Sequence, residues 1–400
     1  MTADVAVLDE PMRPASHAAP RTWRRRIGRV SAAGGASHGA PMLVCLGGIH
    51  GNEPSGYQAL ERLCAKLEAD PTGLRGTLVA FGGNLQALER GQRFLRYDLN
   101  RHWHRERIER LRGTEQPLDA EDSELRELDR VVRGALADAT GPVFGMDLHT
   151  TSGEGPCFAV LDDTLPNREF AIEIPVPLVV GLEEELSGTV THYMAELGMR
   201  EFGFEAGQHD DPQSVDRAEA AVWLAMQAAG VVEAGSRPEL AAARAMLDRE
   251  TGSLPHVVEV RYRHPVSVSD EFVMEPGFVN FQRVDGGALV ARDQRGPILA
   301  PENGMMLMPL YQTQGEDGFF IVRRLDALWL GLSAFVRRRG LHRLLHRLPG
   351  VRRHPELHDT FVVDRRWARF FALELFHLLG YRRRGPVGRY IVMTRRPHDL

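Results

Sequence analysis

Cysteine is scarce: Cys45, Cys64 and Cys157 are the only three in 400 residues, and none stands in a CxxC pair. An odd count without that spacing argues against a disulfide framework and a thiolate metal site, and points to a reducing compartment. Long apolar runs are missing as well. No stretch approaches the roughly 20 residues that cross a bilayer as a helix, so the expected location is the cytoplasm. The basic cluster Arg24-Arg25-Arg26 leads into a Gly-, Ser- and Ala-rich segment with no apolar signal core. Residues 1 to about 20 therefore read as a flexible leader. Lysine occurs once, at Lys66, and arginine carries the rest of the positive charge. In so arginine-rich a chain, a single arginine has little functional weight.

What is present is ordinary for a soluble globular chain: 43% hydrophobic and 26% charged residues, with a length that favours two or three domains. The charge is uneven. Residues 331–400 hold 16 arginines against 5 acidic residues, a formal +11, which leaves −16 for the remainder of a chain whose total is −5. One reading is a binder of nucleic acid or anionic surfaces through Arg337 to Arg353 and Arg382-Arg383-Arg384. The other is an amphipathic helix docked on the acidic body or on another subunit. Leu341, Leu344, Leu345 and Leu348 interleave with the arginines at helical spacing and favour docking. Trp367, Phe370, Phe371 and Phe376 read as core side chains, not as base-stacking platforms.

Up to about residue 250, strands and helices alternate. Strands are expected at 42–47, 77–82, 142–148 and 201–206, and helices at 55–69, 121–137, 189–199 and 214–229, with Ser55 as an N-cap. This grammar implies a mostly parallel sheet with helices on both faces. Residues 256–323 read instead as short strands broken by Gly, Pro and Asp turns, a small β-domain. Helical patterning returns from Leu325. The expected units are a leader (1–25), a catalytic domain (26–250), a β-domain (251–325) and a basic helical tail (326–400).

The segment Gly47-Gly48-Ile49-His50-Gly51-Asn52-Glu53 follows directly on the first of these strands. A catalytic zinc takes three nitrogen or oxygen ligands and keeps a fourth position open. His50 and Glu53, three apart between glycines, can turn toward one such ion. The spacing alone is weak, because His256 and Glu259 repeat it in an alternating run where residues three apart face opposite sides of a strand. Context separates the two pairs. Met146-Asp147-Leu148-His149-Thr150-Thr151 ends another strand and offers His149, which alone would read as a capping or core histidine. Sites in open α/β sheets gather beyond the carboxyl ends of strands, where all three residues stand. Phe202 to Gly207 places Glu205 on a short apolar strand, either as a proton acceptor or as a carboxylate bonded to backbone. Arg93, Arg96 and Arg101 fall within nine residues, as a carboxylate and oxyanion grip or as a solvated loop.

In this order and spacing, GGIHGNEPSG, RFLRYDLNR, DLHTT and GFEAG resemble the aspartoacylase and succinylglutamate desuccinylase family, built on the zinc carboxypeptidase fold. The resemblance implies His50, Glu53 and His149 as ligands of one Zn2+ per chain and Glu205 as general base. It further implies that Arg93 polarises the scissile carbonyl, that Asn100 and Arg101 hold a substrate carboxylate, and that Asp98 supports the ligands from behind. The implied reaction is hydrolysis of the amide or ester bond of a small, carboxylate-bearing acylated molecule, with homo-oligomerisation left open. A metallocarboxypeptidase acting on peptides would use the same machinery. Two departures stand out. The family's later arginine and tyrosine that grip the acyl amino acid have no clear counterpart, Met308 standing about where the tyrosine belongs. The tail beyond about 326 matches nothing in the better-known members.

Overall fold

The computed structural model describes residues 22–400 apart from 117, 358, 365, 367–375, 377–378, 388, 397–398 and 400. The expected leader up to residue 21, and with it Trp367, Phe370 and Phe371, lies outside the described residues. Arg25, at the leader's expected end, is instead buried against the Glu124 carboxylate and the carbonyls of Gly82 and Gly83.

The first eight strands are β1 (Arg26–Ser31), β2 (Met42–Gly47), β3 (Thr77–Gly82), β4 (Val143–Thr151), β5 (Phe158–Val160), β6 (Leu178–Val180), β7 (Arg200–Gln208) and β8 (Val257–Pro265). They are followed by β9 (Val273–Met274), β10 (Arg283–Val284), β11 (Leu289–Asp293), β12 (Gly296–Leu299), β13 (Gly304–Leu307) and β14 (Asp317–Arg324). Among the described residues one sheet holds eleven strands in the order β1-β3-β2-β4-β7-β5-β6-β8-β14-β13-β10. Its heart, β3-β2-β4-β7, is parallel. β2 and β3 are buried at every position, which is why they read as unbroken apolar runs: both faces are covered. Helices Ser55–Ala69, Gln213–Ala228 and Pro238–Thr251 pack one face, and helices Arg105–Gly113, Ala120–Ala137 and Val190–Glu196 the other. Ser55, expected as N-cap, is the first helical residue; Pro54 caps the helix and accepts the Gln58 amide at 3.0 Å.

The boundary expected at 250/251 does not interrupt the sheet. β8 pairs in parallel with β6 and antiparallel with β14, so the β-rich segment extends the catalytic sheet on one side. Only β12-β11-β9 stands apart, as a three-stranded sheet. The tail, expected to be helical, is corrected. After helix Ala327–Arg338 and a 3-10 turn at Leu341–Arg347, the chain forms β15 (Val351–Arg353), β16 (Thr360–Asp364), β17 (Tyr381–Val387) and β18 (Tyr390–Arg395), a four-stranded sheet in the order β15-β16-β18-β17. Its inward positions recur every second residue, as in Phe361 and Val363 or Ile391 and Met393, with Phe376 and Tyr381 in the same small core. Leu341, Leu344 and Leu345 lie in the 3-10 turn, where Leu345 is buried and Leu341 and Leu344 are exposed.

The basic tail meets the acidic body through two buried arginines. Arg337 bonds the Asp163 carbonyl at 2.7 Å, its carboxylate at 2.8 Å and Asp399 at 2.9 Å. Arg396 reaches Glu183 at 2.7 Å and Glu184 at 2.8 Å, with Asp162 at 3.3 Å. Charges taken out of water in this way are tolerable only while paired. Arg396→Ala is therefore expected to destabilise the protein by about 3–5 kcal/mol, read as a lower urea midpoint. An unchanged midpoint would mean that these acids are hydrated without their partner.

Candidate metal centre and active site

The carboxyl ends of three adjacent parallel strands, β2, β4 and β7, build the site. Past β2 the chain turns sharply through Gly48 and Gly51. Gly48 adopts φ +80°, a left-handed conformation open to glycine at no steric cost. A Cβ at Gly51 would fall 2.1 Å from the Ala87 backbone, so this loop packs main chain against main chain. The Glu53 amide closes the turn on the His50 carbonyl at 3.1 Å and brings the two side chains together.

Glu53 lies between two imidazoles. Its Oε1 is 2.8 Å from His50 Nδ1 and its Oε2 is 3.0 Å from His149 Nδ1. The far nitrogen of each ring meets an aspartate: His50 Nε2 lies 3.1 Å from Asp98 and His149 Nε2 lies 2.6 Å from Asp147. Each ring is thereby aimed with Nδ1 toward the centre. One donor atom from each of His50, Glu53 and His149 falls within 4.8 Å of the other two. A nitrogen–oxygen–nitrogen set with its histidines backed by carboxylates fits a divalent ion with an open coordination position.

The surrounding charges are interlocked. Arg93 donates to Glu53 at 3.0 Å and to Asp98 at 3.0 and 3.3 Å. Asp98 also caps the 3-10 turn Leu99–Arg101 by accepting the Asn100 amide at 2.8 Å. Asn100 Nδ2 stands 3.3 Å from His149 Nε2, and its Oδ1 accepts the Val190 amide at 2.8 Å. Arg101 donates to Asp317 at 2.8 Å. Burial alone would raise the Glu53 carboxyl, but His50 and His149 outweigh it and hold it well below the ordinary range. Burial would likewise raise Asp98, and Arg93 and His50 hold it well below. For His149 the balance is reversed: burial would lower it, while Asp147 and Glu53 raise it well above its usual value.

Glu205 is carried by β7, with its backbone opposite His149, and lines the same cavity. Burial pushes its carboxyl up to about 8, with Glu53 adding to the rise and His149 and Arg93 opposing it. The residues singled out by the sequence at this site border the cavity except Asp98, which stands behind His50, and Arg96, which is exposed and does not line it. His256 and Glu259 do not join it; Glu259 instead pairs with Arg323 at 2.8 Å. Sequence reasoning missed Asp147, although its place two residues before His149 on one strand puts both on one face. It also missed His209, Gln312 and Asp317. Gln312 accepts from Asn52 at 2.8 Å across 260 residues, a contact with no local signal.

Two outcomes are expected. His149→Ala abolishes stoichiometric metal binding, and Asp147→Asn weakens it about 10–100-fold, measured by elemental analysis and chelator competition. Unchanged affinity in both would remove the metal centre. In metal-stripped protein, the raised Glu205 pKa means that the folded chain keeps a proton which the unfolded chain releases. Stability is therefore lost as pH rises from about 4.5 toward about 8. The melting temperature of Glu205→Gln should thus exceed that of the wild type at pH 8.5 by more than at pH 5. A pH-independent difference would contradict this.

Comparison with known proteins agrees with the geometry. The model of the succinylglutamate desuccinylase/aspartoacylase catalytic domain matches residues 40–229. A curated succinylglutamate desuccinylase of Photorhabdus laumondii is 31% identical over 170 residues, 40% of this chain and 50% of that protein. The chain thus spans half the length of that relative. Two solved structures share the fold at a TM-score of 0.52 and 16% identity. The succinylglutamate desuccinylase of Vibrio parahaemolyticus aligns over 74% of this chain and 86% of its own. A succinylglutamate desuccinylase/aspartoacylase of Rhodobacter sphaeroides aligns over 74% and 88%. Residues 40–229 thus carry the catalytic-domain pattern of the succinylglutamate desuccinylase/aspartoacylase family, and through this segment the chain is similar to that family.

Proposed function

We propose that the protein is a zinc-dependent hydrolase that cleaves the amide bond, or an ester bond, of a small acylated molecule. The observation that carries this reading is the convergence of His50, Glu53 and His149, with Glu205 bordering the same cavity. A zinc ion held by the three residues supplies Lewis-acid activation of water and of the scissile carbonyl. Glu205 accepts the proton of the attacking water and returns it to the departing amine. Arg93 stands beside Glu53, placed to stabilise negative charge as it develops on the carbonyl oxygen. Asp98 and Asp147 keep the imidazoles in register, and Asn100 and Arg101 wall the side on which the substrate body lies.

The desuccinylase named among the relatives removes an acyl group, which supports deacylation as the reaction class here. Replacing Glu205 with Gln is expected to slow turnover of an N-acyl substrate about 100- to 10,000-fold while leaving zinc content at one per chain. Full activity in that variant would show that another group carries the proton.

A further inference from the structure

Among the described residues two arginines line the cavity, and both are ion-paired within the protein. Arg93 is held by Glu53 and Asp98. Arg101, 14% exposed, places Nη2 2.8 Å from Asp317 and Nη1 3.0 Å from the Asn100 carbonyl. Asp317 opens β14, is 13% exposed, and receives Arg263 Nε from β8 on its other oxygen at 2.5 Å. Its carboxylate is thus fixed between two guanidinium groups, in the arrangement a bound ligand carboxylate would adopt. Of the Arg101 nitrogens only the buried Nε lacks a partner among the described residues, and a second carboxylate arriving there would lie beside Asp317 and beside Glu316, which is exposed on the same wall. The remaining lining sets the apolar side chains of Val160, Leu182, Leu186, Met308, Leu310 and Phe320 beside the hydroxyls of Thr189 and Thr191 and the side chains of His209 and Gln312. None of these side chains carries a fixed charge, so this wall suits an uncharged ligand body.

We infer, resting on the hydrolase reading above, that Asp317 occupies the place of a substrate carboxylate on Arg101, so that the pocket takes an acylated amine with an uncharged body. Asp317 then determines specificity: it leaves the chemistry at Glu205 untouched and sets which substrates reach it.

N-acetyl-leucinamide and N-acetyl-leucine test this, since they differ only in the carboxylate. Zinc-loaded wild type is expected to show a KM at least about tenfold lower for the amide. In Asp317→Asn, which keeps the shape and loses the charge, KM for N-acetyl-leucine should fall roughly 10–100-fold with kcat little changed. A misfolded variant would instead lose both compounds together, and the wild-type ranking would still decide. Calorimetric binding of the two compounds to zinc-loaded Glu205→Gln protein should give the same order without turnover. Tighter binding of N-acetyl-leucine by that protein, or equal binding, would overturn the inference. Correct ranking with no hydrolysis by the wild type would overturn the hydrolase reading alone.

Discussion

The buried carboxylate of Glu53 is the contact on which the site depends. It receives His50, His149, Arg93 and the Thr150 amide within about 3 Å, and an ion so far from water is stable only when its lone pairs are filled in this way. Its partners come from a glycine-hinged loop, a strand end and an arginine loop. Each is brought there by a different part of the parallel sheet. Asp98 and Asp147 then take the outer nitrogens of the two rings. The result is a centre whose donors are aimed by protein contacts before any ligand arrives.

Around this centre the fold works by covering the carboxyl ends of its strands. β14 brings Asp317 to the cavity from far along the chain, and the segment around Leu182 and Leu186 forms part of the cavity wall. Glu183 and Glu184, in the same segment, are gripped by Arg396 of the C-terminal sheet. The tail's positive charge is therefore partly spent inside the molecule, against acids of the body, and its formal +11 overstates what an external anion would meet. Among the described residues no helix is long and apolar enough to cross a membrane.

Legibility followed range. The elements of the parallel heart could be read because burial on both faces leaves continuous apolar strands, and because helices on either side show their 3.6-residue period. The metal-site candidates could be read because they stand at strand ends. The paired control, His256 and Glu259, was correctly set aside on strand geometry alone. Asp147 was within reach of the same argument. The tail was misread because the leucine–arginine spacing of 341–348 is helical, whereas the strands on either side of it alternate over stretches too short to outweigh it.

The sequence by itself determined the local chemistry: which loops follow which strands, which imidazoles and carboxylates share a face, and that the tail and body carry opposite charge. Those properties depend on residues two to four apart, whose geometry the backbone dictates. Only the tertiary structure decided that Glu53 bridges both histidines, that Asp317 is already seated on Arg101, and that Arg337 and Arg396 are buried. Each of these joins residues far apart in the chain, and no local pattern encodes a partner supplied by the packing of distant strands.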